Sequence, residues 1–196
     1  YQIATSSCAL TSCAGNSCTV SCSAPMYYFA DPTDVGSTFA ADVWNAIIDV
    51  WDTASAHTNS TAPEELYTLS GLTSSSTIAY PSLTPGADSG SNNATTSVNN
   101  TGNSILNLNL GGDDLYAGAN KLPYDKQKYA TTTFTYAGCA ICNSLTSTSS
   151  PTYFPLGVAK PVSTSTVSKN VYWGITIPNG TAATTFSGYT NFGATQ

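Results

Sequence analysis

The sequence predicts an all-β protein, a β-sandwich preceded by a smaller disulfide-bearing β module. Three observations predict it. The chain is full of Thr, Val, Tyr, Gly and Pro, which defeats a helical reading. Short runs rich in β-branched and aromatic residues recur along it. Turn signals separate them, among them Pro85-Gly86, Gly111-Gly112-Asp113 and Pro178-Asn179-Gly180.

Cys18–Ser21 and Met26–Ala30 are the first predicted strands. The one helix-like stretch, Ser37 to Ala54, contains Val43-Trp44-Asn45-Ala46-Ile47-Ile48-Asp49-Val50-Trp51-Asp52. Its β-branched and aromatic content favours a strand, with Trp44, Ala46, Ile48 and Val50 along one face. Glu65–Ser70, Ser76–Tyr80, Ala94–Asn99 and Ile105–Leu110 follow, the last alternating Leu106, Leu108 and Leu110 with Ile105, Asn107 and Asn109. Lys128–Ala137, Tyr153–Ala159, Asn170–Ile177 and Thr184–Ala194 complete the series. A boundary near Leu72–Ser75 separates a cysteine-bearing module, residues 1–72, from residues 73–196. The strand density of the second part suits one immunoglobulin-like sandwich.

Composition narrows the function. Of 196 residues, 41% are hydrophobic and only 8% charged, against about 25% charged in an ordinary domain. The 12 Tyr, 6 Phe and 3 Trp supply a core that disordered chains lack. The basic residues are five lysines, and the net charge is −6. So few cations exclude nucleic-acid binding, which needs Lys and Arg against phosphate, and argue against an anionic membrane surface. No apolar run approaches the ~20 residues of a membrane span. The abrupt start at Tyr1 suggests a mature, processed end.

Cys8, Cys13, Cys18 and Cys22 form one group, and Cys139 and Cys142 another. The C-x-x-C spacing of the second pair is also a zinc-ligand pattern. Disulfides are favoured because the chain lacks the basic composition of cytosolic zinc modules, and disulfides place the protein outside the cytosol, extracellular or at the cell surface. Cys139 is expected to join Cys142, with the first four pairing among themselves. Sequons at Asn59, Asn93, Asn99 and Asn179 make glycans a further expectation.

The run Ser76-Thr77-Ile78-Ala79-Tyr80-Pro81-Ser82-Leu83-Thr84-Pro85-Gly86, then Thr95 to Asn103, Ile105 to Leu110 and Gly112-Asp113-Asp114-Leu115, resembles immunoglobulin-like modules of secreted bacterial and archaeal cell-surface proteins. Val171 to Thr181 and Phe186 to Phe192 are similar to the closing hairpin of such modules. The resemblance implies a sandwich of about 120 residues with tight Asn/Gly hairpins. It implies little about function, because such domains serve many roles.

Catalytic chemistry has little to build on. His57 is the one histidine, and it sits in a polar stretch. Glu64-Glu65 and Asp113-Asp114 are adjacent pairs, whose side chains point to opposite faces of a strand. No catalytic residue is assigned and no cofactor is expected. Asp31, Asp34, Asp42, Asp49 and Asp52 suggest at most a calcium site, with Asp31, Asp34, Asp49 and Asp52 as its candidate ligands. Trp44 and Trp173 lie in core-like patterns, whereas Trp51 is open to a surface role. The expected function is therefore non-enzymatic: a subunit of a surface filament or layer that self-associates, with an adhesin or carbohydrate-binding module as the alternative. Tyr1, Ile3 and Thr5 alternate with Gln2 and Ala4 and form a candidate subunit-linking strand.

Overall fold

The computed structural model describes residues 7–15 and 17–196; Tyr1, Ile3 and Thr5 of the expected linking strand lie outside them. The protein is all-β, and its strands are antiparallel. Two hairpins precede the sandwich: β1 (Cys8–Ala14) with β2 (Ser17–Cys22), and β3 (Trp44–Trp51) with β4 (His57–Glu64). The sandwich comprises β5 (Leu72–Ser74), β6 (Ala94–Asn100), β7 (Leu106–Gly112), β10 (Gln127–Ala130), β11 (Asn143–Ser144), β12 (Thr152–Val158), β13 (Val167–Ile175) and β14 (Thr190–Thr195). A small hairpin of β8 (Leu115–Ala117) and β9 (Asn120–Leu122) leads out of β7. One sheet runs β11-β10-β13-β6-β5, the other β12-β7-β14.

The core is built by period-two alternation. Leu106, Leu108 and Leu110 of β7 are buried while Asn107 and Asn109 are not. Val98 of β6, Tyr129 of β10, Phe154, Leu156 and Val158 of β12, and Val171 and Trp173 of β13 join them in one cluster between the sheets. Aromatic edges lock the two layers: the Tyr129 ring meets Phe154 edge-on at 5.0 Å, and Trp173 meets Phe192 of β14 at 5.9 Å.

Asn100, only 1% exposed, ends β6 and ties the sheets together. Its Nδ2 donates to the carbonyls of Ser104 (2.7 Å), Val158 (3.3 Å) and Ala159 (3.2 Å), and its Oδ1 accepts from the Gly102 amide (2.8 Å). Gly102 must be glycine, because a Cβ there would lie 2.1 Å from the Leu69 carbonyl oxygen. Beyond the clamp, β12 bulges between Phe154 and Val158, where Gly157 adopts φ 63° and its amide donates to Asn107 Oδ1.

Several predicted strands are absent, each for a local reason. Met26–Ala30 follows Pro25 and closes into a turn, with the Ala30 amide on the Tyr27 carbonyl (3.0 Å). Glu65–Ser70 pairs with side chains rather than with a strand: Leu66, Thr68 and Leu69 donate their amides to Thr33 Oγ1, Asp34 Oδ2 and Asn103 Oδ1. Ser76–Tyr80 leaves the ladder after the Ser75 amide bonds Ser97, and lays half-buried Ile78 and Tyr80 on the core. Lys128–Ala137 stops as a strand at Ala130, and Thr184–Ala194 starts only at Thr190. Ser37–Ala54 does contain a strand, as expected, but Trp44 is half-buried at its root rather than in the core.

Asn100→Ala strands three carbonyls and one amide at the junction of both sheets. The expected cost is about 2–4 kcal/mol, read as a lower urea midpoint at unchanged slope. Asn191→Ala, on the exposed side of β14, is the control and should leave the midpoint in place.

Candidate functional site: an open sheet edge and its cleft

Each sheet of an open sandwich ends in edge strands that offer unpaired backbone groups, and proteins protect such edges with short strands, Pro, Lys or bulges. Three of the four edges here are protected. β5 has three residues and β11 two. β12 contains Pro155 and the Gly157 bulge, and the Lys169 ammonium donates to the Leu156 carbonyl (3.1 Å).

β14 has none of these devices. Thr190-Asn191-Phe192-Gly193-Ala194-Thr195 carries no charge and no proline, and it pairs with β7 without a bulge. Among the described residues β7 is its only partner strand. The Asp113 amide donates to the Tyr189 carbonyl (2.9 Å), which sets the phase of the ladder. Asn191, Gly193 and Thr195 turn their backbone groups toward β7, and those of Thr190, Phe192 and Ala194 face away. Phe192 and Ala194 are half-buried against the core, as is Leu72 of β5. Gln196 Nε2 donates to Ser70 Oγ (3.3 Å), so the end of β14 lies beside the approach to β5.

A cleft of about 370 Å³ opens where β14 ends, lined among others by Pro32, Phe39, Asn103, Ile105, Asn107 and Gln196. Ile105 is 59% exposed there. The wall formed by residues 31–39 is held from the sandwich side. Lys160 forms an ion pair with Asp31. The Thr33 amide donates to the Leu66 carbonyl (2.8 Å), and Asp34 accepts from the Thr68 hydroxyl (2.6 Å) and amide (3.0 Å). The Thr68 hydroxyl, and then its amide, hold the Asp34 carboxyl below the ordinary carboxylate range.

The structure disperses the aspartates suggested as calcium ligands. Asp31 and Asp34 serve the cleft wall, Asp49 sits on β3 opposite Asn59, and Asp52 Oδ1 accepts from the amides of Ala54 and Ala56 in the β3–β4 turn. Among the described residues no group of three or more His, Cys, Asp or Glu side chains converges. The adjacent acids also separate: Asp114 binds Lys121 (2.9 Å) and Asp113 accepts from the Thr148 hydroxyl (2.6 Å). His57 stacks on Trp51.

The cysteines join as Cys8–Cys22, Cys13–Cys18 and Cys139–Cys142. The first two link directly opposed residues of β1 and β2. The third packs beside Phe134 and Tyr136 in a satellite cluster. The sequons differ in access. Asn93 Nδ2 is buried and its Oδ1 accepts from the Phe134 amide (2.8 Å). Asn99 lies in β6 and donates to Thr73 Oγ1 (3.2 Å). Asn59 and Asn179 are exposed.

No protein-family model, no curated protein and no solved structure matches the chain. No helix among the described residues is long and apolar enough to cross a membrane.

The open edge and the cleft were not legible as a site in the sequence. Lys160 and Asp31 lie 129 residues apart, and the alternation in Thr184–Ala194 does not tell an edge strand from a central one.

Because its carboxyl is held low by Thr68, Asp34 contributes stability at neutral pH, and that contribution is lost as pH falls below about 4. The Thr68 amide resonance should therefore titrate with a midpoint below the ordinary carboxylate value. Asp34→Asn should abolish that titration and speed proteolysis between residues 31 and 39.

Proposed function

We propose that this chain is a non-enzymatic extracellular structural protein, a subunit of a surface filament or layer whose copies join by β-strand addition. The observation that carries this reading is the unprotected edge of β14 beside three protected ones. A strand from a second copy laid along β14 meets the outward backbone groups of Thr190, Phe192 and Ala194, and covers the half-buried Phe192, Ala194 and Leu72. In strand addition the main chain supplies affinity and alternate side chains supply register. The segment Tyr1-Gln2-Ile3-Ala4-Thr5 has the required alternation, with Tyr1, Ile3 and Thr5 on one side.

Three disulfides suit an oxidising compartment. With 8% charged residues, subunits pack densely without strong like-charge repulsion. The sandwich and its turns also support membership among immunoglobulin-like surface modules. The exposed Trp51 favours a second reading, an adhesin or carbohydrate-binding module.

Negative-stain electron microscopy of the native, unreduced protein should show fibres or lattices. Deleting residues 1–6 should leave monodisperse particles with unchanged circular dichroism and melting temperature. Ala194→Pro, which removes an outward amide but no bond to β7, should do the same. Dispersed particles of the intact chain at high concentration overturn the reading, and binding to a glycan array lost in Trp51→Ala would replace it with the second.

A further inference from the structure

The β3–β4 hairpin stands away from the core, and fifteen of its sixteen residues are exposed, all but Trp44. It is in unbroken register from Trp44↔Glu64 to Trp51↔His57. An isolated two-stranded hairpin is marginally stable in water. This one also exposes Ile47, Ile48, Val50 and Trp51.

The register sorts its side chains. Ile47, Asp49 and Trp51 share one face with Thr61, Asn59 and His57. At the tip the Trp51 and His57 rings stack with centroids 4.4 Å apart and planes 19° apart. Trp51 is nevertheless 63% exposed, so the stack with His57 leaves much of the indole open. The tight turn next to the ring pair is closed by Asp52, which receives the amides of Ala54 and Ala56.

Asn59 lies two residues beyond His57 on the same face, diagonal to Trp51. Such diagonal neighbours are roughly 7–8 Å apart, within reach of a large ring. Asn59 is exposed, no hydrogen bond to a described residue holds its amide, and Asn59-Ser60-Thr61 is a glycan-acceptor sequon. Asn93 and Asn99, by contrast, have their amides buried or engaged in the sandwich.

We propose that Asn59 carries an N-linked glycan whose first sugar ring rests on the part of the Trp51 indole that His57 leaves exposed. In forming it, Asn59 Nδ2 bonds to the anomeric carbon of a lipid-phosphate-linked oligosaccharide. The carbon–oxygen bond to the phosphate breaks, the lipid phosphate leaves with the electron pair, and one amide proton passes to a base. The C–H face of the sugar then covers the indole, and the hydroxyls present a wet surface where the hairpin alone would expose apolar area. The proposal shares with the proposed function only the export of the chain, not its polymerisation.

The test is glycopeptide mass spectrometry of the protein from its source, paired with protease cleavage rates within residues 44–64. A sugar mass on Asn59 is expected. Thr61→Ala, which removes the acceptor, and Trp51→Ala, which keeps it, should each speed cleavage several-fold. The double variant should be no faster than Trp51→Ala alone, since that substitution already removes the sugar's platform along with the His57 stack. Trp51→Phe should restore slow cleavage. An unmodified Asn59 overturns the proposal, and so does an occupied Asn59 with additive or absent effects of the two substitutions. Dispersed particles in micrographs would count against polymerisation and leave this result standing.

Discussion

The sandwich depends on one buried amide. Asn100 is the last residue of β6 in the five-stranded sheet, and its side chain bonds backbone groups of the turn leading to β7 and of the end of β12. A buried polar group is costly unless satisfied and strongly specifying when it is. Asn100 has both its amide hydrogens and its oxygen engaged. The consequences extend outward. The turn it shapes brings Gly102 onto the Leu69 carbonyl and Asn103 onto Leu69 and Tyr67. That docking in turn holds the chain near Thr68, where Asp34 anchors one wall of the cleft.

The two hairpins face a common difficulty, the lack of a core, and meet it by different chemistry. β1–β2 is closed at both ends by cross-strand disulfides, whose effect is to restrict the unfolded chain; the Cys8–Cys22 bond, with a sequence separation of 14, closes a loop worth about 3 kcal/mol. β3–β4 has no covalent link. It relies on a capped turn, a cross-strand ring stack and a root where the Trp44 indole donates to the Asp31 carbonyl (2.8 Å). That leaves it the more dependent on what covers it.

The edges show a similar division. Pro155, Gly157 and Lys169 act together on β12, while β14 presents a regular, uncharged strand. This asymmetry gives the molecule two unlike sides: one is protected against strand addition and the other is left open. The cleft continues the open side beyond Thr195, with Ile105 and Phe39 as apolar residues in its lining.

The sequence by itself determined the all-β class, the alternating core of β7 and the pairing potential of the cysteines. All of these are local, set by period two, turn residues and spacing. Which runs became strands was decided elsewhere. Glu65–Ser70 and Ser76–Tyr80 have strand-like composition, yet the first is bonded by Thr33, Asp34 and Asn103 and the second drapes over the core. Trp44 and Trp173 sit in similar patterns, but only Trp173 is buried, because β13 is central to its sheet and β3 is not. Edge or centre, and open or protected, depend on partners far away in the chain, so only the tertiary structure could place the candidate surface at β14.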